Sequence, residues 1–239
     1  HSYCKSITVW LYREDMPKVV DHDQRRAEII GALWEVIGER GTEGASLMTV
    51  ARAAGVSVGR IQHYFASKQD LVQAGCQAIV DMAEAGYRDR TRESDPWRTL
   101  ADLLTQSIPT TTEFRMGAAV WYAYMARAVV DPGIGEIVRR AAQGTHEEVR
   151  SLLRAGGAPE DLATALLGMS AGLTQHVLVG ALSASEATAA MTAEIDRLRE
   201  ASATEPDSAV QATAQNRNPP DSQASSQRKV DSEAPRSRR

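Results

Sequence analysis

The segment Leu47 to Leu71, LMTVARAAGVSVGRIQHYFASKQDL, reads as two short helices joined by a tight turn and followed at once by a third. Val50, Ala51 and Ala54 recur at helical spacing and give the first helix one apolar face. Gly55 stands where a chain leaving that helix needs a left-handed residue, a conformation glycine adopts without a Cβ clash. Ser57 is placed to cap a second helix whose inward face is Val58, Ile61 and Phe65. Those packing contacts leave Arg60, Gln62, His63 and Tyr64 outside, and all four side chains can bond to bases or phosphates. This is the plan of a helix-turn-helix, whose second helix enters the major groove of DNA.

A leading helix is expected before this unit, from about Asp21 to Arg40, with Ile29, Ile30, Leu33, Trp34 and Ile37 on one side. Gly41, an acidic spacer and a small capping stretch (Gly44, Ala45, Ser46) follow it. After the second helix of the motif come Tyr64-Phe65, Ser67-Lys68 and Asp70-Leu71. This ordered set, running from Asp21 to Ile79, resembles the N-terminal domain of the TetR family of transcriptional regulators. The resemblance implies an all-α chain: an N-terminal three-helix DNA-binding domain with a helix-turn-helix, then a larger helical domain for ligand binding and dimerisation. One position departs from the family pattern. An aromatic residue usually stands two places before Tyr64, and here it is Gln62. An amide bonds to an adenine edge, whereas an aromatic ring contacts backbone or a thymine methyl, so no relative's operator sequence carries over.

Phosphate contacts position such a head and base contacts give it sequence preference. Arg60 projects from the first turn of the recognition helix, and its guanidinium fork suits guanine O6 and N7, worth roughly 1–3 kcal/mol of discrimination. Gln62 is the second candidate base reader. Ser57 and the methyls of Val58 lie where the groove is nearest, and Gly59 lets the backbone approach. The resemblance assigns His63, Tyr64 and Lys68 to phosphates, together with Ser46 and Thr49 from the preceding helix.

Charge alone does not point to DNA. The net charge of the 239-residue chain is −4. Between Met16 and Asp70, the basic residues Lys18, Arg25, Arg26, Arg40, Arg52, Arg60 and Lys68 are matched one for one by Asp21, Asp23, Glu28, Glu35, Glu39, Glu43 and Asp70. A local sum of zero implies modest non-specific affinity. Apolar residues make up 43% of the chain, enough for a core, without the β-branched, turn-punctuated runs of a β protein. No apolar stretch approaches the roughly 18 residues of a membrane span, and no secretory signal pattern is present. Cys4 and Cys76 are the only cysteines; a disulfide between them is not expected, which suits a reducing cytoplasm.

Composition suggests four regions. Residues 1–15 read as a non-native leader, with Met16-Pro17 a plausible start. The DNA-binding domain is expected over 16–66 and the ligand-binding and dimerisation domain over 67–201. Residues 202–239, rich in Ser, Gln, Pro and Asn, are expected to be a disordered tail. Within 67–201, helices are expected from Ser67 to Arg90, from Pro96 to Ile108, from Glu113 to Val130, from Ile134 to Arg154, from Ala158-Pro159 to Leu182, and from Glu186 to Glu200.

The last two of these helices are the expected homodimer interface. Leu162, Leu166, Leu173 and Val177 form one apolar side of the first, with Gly168 and Gly172 as a smooth strip, and the final helix adds Met191, Ile195 and Leu198. Four such helices from two subunits would make the bundle that the resemblance implies, holding two heads on a palindromic double-stranded operator. The segments Ala118-Ala119-Val120-Trp121, Tyr124-Met125-Ala126-Arg127-Ala128 and Asp131-Pro132 resemble the choline-sensing, betaine-pathway branch of the family. Trp121, Tyr124 and Met125, with Met116, Met169, Gln175 and His176, are the expected lining of a site for an unknown small-molecule effector.

An enzyme is not expected. There is no glycine-rich phosphate loop and no nucleophile elbow, and His146-Glu147-Glu148 lacks the second histidine of a zinc helix because position 150 is Arg150. No cofactor or metal is expected. The reading is a dimeric repressor released from DNA by an effector; an activator, or a helical interaction module without ligand control, is the alternative.

Overall fold

Several of the described helices begin at a residue whose side chain satisfies their first turn. The computed structural model describes residues 19–90 and 95–204, and among them finds nine α-helices and no strand. They are α1 (Val19–Gly44), α2 (Leu47–Ala54), α3 (Val58–Tyr64), α4 (Lys68–Arg90), α5 (Pro96–Thr105), α6 (Thr112–Ala128), α7 (Pro132–Ala155), α8 (Leu162–Leu178) and α9 (Ala184–Thr204). The expected leader falls wholly, and the expected tail largely, outside the described residues.

Side-chain oxygens accept from the first free backbone N–H groups. Asp95 accepts from the Arg98 amide, Thr111 from that of Phe114, and Asp131 from those of Gly133 and Ile134. Pro96 and Pro132 stand just inside their helices, where no N–H is needed. Ser183 and Glu186 bond reciprocally at the start of α9.

Two helices are shorter than their apolar patterns suggest. α5 stops at Thr105, although Ile108 is still buried. Ile108 precedes Pro109, and a residue before proline is pushed out of the α region. α8 stops at Leu178 because Gly180 takes φ +77°, and the amides of Ala181 and Leu182 both turn back to the carbonyl of His176.

The apolar faces merge into clusters, the first of which crosses the expected domain boundary. The first joins Ile29, Leu33, Ile37, Val50, Ile61, Phe65, Leu71 and Cys76 to Val120 and Tyr124 of α6 and to Ile134 and Val138 of α7. The second gathers Leu100 and Leu104 of α5, Val149 and Leu153 of α7, Leu166 of α8, and Met191 and Ile195 of α9. Fully burying one such side chain contributes roughly 1.5–3 kcal/mol. Packing is therefore continuous from the head into α6 and α7, with no break at residues 66/67. Among the described residues no helix is long and apolar enough to cross a membrane.

Candidate DNA-reading site and effector core

The head is built from local bonds that leave one helix face outward. At the start of α2, the Ser46 amide donates to Thr49 Oγ1 at 2.8 Å and the Thr49 amide donates to Ser46 Oγ at 3.0 Å. The Thr49 hydroxyl, a single donor, has the carbonyls of Gly44 and Ser46 within reach at 3.1 and 3.0 Å. Both hydroxyls thus serve the backbone, and a phosphate would share them. At the other end of α2, Gly55 takes φ +66°, and the Val56 amide returns to the Ala51 carbonyl at 3.0 Å. Ser57 Oγ then accepts from the Arg60 amide at 3.2 Å and starts α3.

Ile61 and Phe65 are buried and hold α3 in the head, with Val58 half-buried beside them. Arg60, Gln62 and His63 are exposed, and Tyr64 is half-buried. Among the described residues, the side chains of Arg60 and Gln62 make no hydrogen bond or ion pair. Gly59 is exposed, and a Cβ there would come no closer than 4.0 Å to Ser57 Oγ, so the space beside it is open. The Asp70 amide donates to Ser67 Oγ at 3.0 Å, and the Asp70 carboxylate accepts from the Ala66 amide at 2.9 Å. This fixes the start of α4 and leaves Lys68 exposed in its first turn. The ten residues expected to meet DNA therefore lie on α2 and its cap, α3, the turn between them and the start of α4.

Two neighbours escaped the sequence reading. Met48 is 69% exposed on the first turn of α2. His22 of α1 packs its ring on Tyr64, and no periodicity signals a contact between helices so far apart in sequence.

The expected interface residues divide differently. Leu166, Val177, Met191 and Ile195 are 3% exposed or less, within the chain's own core. Leu162, Leu173 and Leu198 pack against the same clusters. A side chain without accessible surface in one chain has none to offer a partner, so Leu166, Val177, Met191 and Ile195 are corrected to intrachain packing, whereas Leu162, Leu173 and Leu198 are half-buried and keep some outward surface. Each amphipathic helix has one large apolar face, and here it turns towards α5 and α7. Gly168 is exposed and Gly172 half-exposed, with nothing within 4 Å of a Cβ built on either.

The expected effector residues do not line one cavity either. Tyr124 is fully buried and Trp121 packs with it in the first cluster, whereas Met169 joins the second. Met116 and Met125 are exposed, as are Gln175 and His176. The helical turn is the reason: Met125 sits about 100° around from Tyr124, at the edge of the face that α6 buries. Met116 lies over Gly38 of α1, its sulfur occupying the place of an absent Cβ. Tyr122 reaches α8 instead, its hydroxyl donating to the Ala171 carbonyl at 3.0 Å.

One buried group carries an unmet bond. The Tyr124 hydroxyl has no partner among the described residues. Burial pushes this phenol well above its ordinary range, and the buried Cys76 beside it adds to the shift. The Trp34 indole close by already donates to the Gly75 carbonyl at 3.1 Å. Burial likewise pushes the Cys76 thiol up to about 11.

A capped two-helix reader seated on a leading helix, with a helical body behind it, is the architecture of helix-turn-helix transcriptional regulators. Comparison with known proteins agrees. The family described as bacterial regulatory proteins, tetR family, matches residues 29–74, and the BetI-type transcriptional repressor C-terminal family matches residues 96–200. The regulator PksA of Bacillus subtilis (strain 168) is 35% identical over 114 residues, 47% of this chain and 56% of PksA. The regulator BetI of Burkholderia cenocepacia (strain HI2424) is 31% identical over 119 residues, 49% of this chain and 61% of BetI. The chain thus matches less than two thirds of the length of these relatives. A crystal structure of a transcriptional regulator from Rhodococcus sp. Rha1 superposes with TM-score 0.68 at 28% identity, covering 74% of this chain and 96% of that one. The chain belongs to the TetR family of transcriptional regulators and carries a BetI-type C-terminal domain.

Proposed function

We propose that this protein is a dimeric, effector-controlled repressor that binds a palindromic operator. One observation carries the reading: α3 is anchored by Ile61 and Phe65 while Arg60 and Gln62 stand exposed and uncommitted on its outer face. An internal role would have bonded or buried two such long polar side chains. Arg60 and Gln62 read bases, and Ser46, Thr49, Ser57, Val58, Gly59, His63, Tyr64 and Lys68 approach the backbone and groove floor. Such a protein works where the chromosome is, in the cytoplasm.

The second copy docks on the outer faces of α8 and α9. Ala165, Gly168 and Ala171 of α8 are exposed, Val179 just beyond it is 77% exposed, and Ala189 and Ala193 of α9 border an open groove. These small side chains allow two helix pairs to approach closely. An effector acts through α6, because Val120 and Tyr124 pack on α1 and α4. A ligand that binds better when α6 is displaced changes the spacing of the two heads away from the roughly 34–36 Å of one DNA turn.

The test is selection of genomic fragments by the purified protein and by Arg60→Ala. Enrichment of one palindrome by the wild type, lost in the variant, supports the reading. Absence of enrichment at moderate salt, also after unfolding and refolding to strip any bound ligand, overturns it.

A further inference from the structure

Tyr64 is the last residue of α3, where the chain leaves helical geometry for an extended Phe65. A side chain at such a helix end has few neighbours within its own helix to select its orientation. Here the neighbour comes from α1. The ring centroid of His22 lies 4.7 Å from that of Tyr64, with the planes at 44°. His63 meets the same phenol edge-on at 5.2 Å, and the two imidazoles are 6.3 Å apart. The three rings form one small cluster on the side of the head that carries the recognition helix. His22 and His63 are exposed, and Tyr64 between them is half-buried.

The charges around His22 argue for contact over electrostatics. Asp23, the acidic neighbour of His22 on α1, has its Oδ1 3.7 Å from His22 Nδ1. Arg26, one turn further along α1, is turned onto the Phe65 ring, 5.1 Å from its centroid. From α3, His63 and Tyr64 are the titratable groups in ring contact with His22. What His22 supplies is a ring surface, at a centroid separation within the range of aromatic pairs.

We propose that His22 is a positioning residue of the DNA-reading surface: its imidazole packs on Tyr64 and holds the phenol, flanked by His63, where its hydroxyl meets an operator phosphate. The inference rests on the DNA-binding reading above. It adds a residue of the leading helix to a surface otherwise made by α2, α3 and the start of α4, and it ties α1 to the end of the recognition helix.

The experiment measures binding of the full chain to two labelled duplexes, the palindrome enriched by the wild type and a scrambled sequence of equal length. Wild type, His22→Ala and His22→Phe are compared. His22→Ala is expected to weaken both duplexes by the same factor, roughly three- to tenfold, because a phosphate contact is blind to sequence. His22→Phe keeps a ring and is expected to bind within about twofold of wild type. Unchanged binding by His22→Ala overturns the proposal. Equal losses in both variants also overturn it, since the imidazole's own bond or charge would then be what DNA uses. A wild type that binds neither duplex defeats the DNA-binding reading itself, an outcome distinct from wild-type binding with an unaffected His22→Ala.

Discussion

The guanidinium of Arg127 donates to the carboxylate of Glu43, 84 residues earlier in the chain. The contact joins the last turn of α6 to the end of α1, beside the entry to α2. The same guanidinium lies 3.5 Å from Asp131, whose carboxylate is nearly buried and caps α7. Arg127 therefore touches head and core at once.

The two halves of this contact differ in weight. Glu43 is 79% exposed, so solvent screens its pair, and Glu43→Gln is expected to cost under about 0.5 kcal/mol. Arg127→Met also removes the cation beside a nearly buried carboxylate and is expected to cost about 1–2 kcal/mol. Urea unfolding of both variants checks the order; equal losses would place the energy in the surface pair instead.

Gly75 is set by its neighbours, not by its backbone. A Cβ there would lie 2.5 Å from the Tyr124 hydroxyl oxygen and 2.6 Å from Leu33 Cδ2. Gly75→Ala gains about 1 kcal/mol of helix propensity and loses about 1–3 kcal/mol to overpacking. Net destabilisation is expected. Tyr124→Phe removes an unpartnered buried hydroxyl and is expected to leave the melting temperature unchanged or raise it. Combining the two is expected to recover part of the Gly75→Ala loss.

Gly168 and Met191 separate assembly from folding. The space beside Gly168 is open, so Gly168→Arg is expected to fold normally yet sediment as a monomer at concentrations where the wild type dimerises. Met191 is fully buried, and Met191→Ala is expected to cost about 2–5 kcal/mol of stability by leaving a cavity. A stable, monomeric Met191→Ala would return that side chain to the interface.

Cys76 has no accessible surface, and its thiol is held up at about 11. Its modification by a thiol reagent at pH 8 is expected to proceed only through unfolding, and to speed up with urea. The folded thiol binds its proton more tightly than the unfolded one, which titrates at about 9. The associated stability is fully present below pH 9 and is lost as pH rises towards 11. Cys76→Ala is expected to flatten that alkaline limb in urea unfolding followed across pH 8 to 11.

Glu186 shows the opposite sign. Bonds from the Ser183 hydroxyl and amide hold its carboxyl below the usual range. Its support for the start of α9 is present above the ordinary carboxylate pKa and lost as pH falls through the lowered value. Loss of helical signal on acidification is expected to shift in Glu186→Gln.

Most helix starts and the turn of the reader were legible in the order of residues, whereas the ends of α5 and α8 were not. Ser46, Ser57, Asp95, Asp131 and Ser183 announce helix starts because a cap acts within three residues of itself, and Gly55 announces its turn because φ +66° is a property of one residue. The outward set Arg60, Gln62 and His63 followed from the same periodicity that buried Ile61 and Phe65. Partners were not legible. Periodicity marks an apolar face without saying what covers it, so Leu166, Met191 and Ile195 read as an interface and proved to be core. The contacts of His22 with Tyr64, Arg127 with Glu43, and Tyr124 with Gly75 join helices far apart in sequence. Only the tertiary structure decides such contacts, because they depend on how whole helices cross and not on the spacing within any one of them.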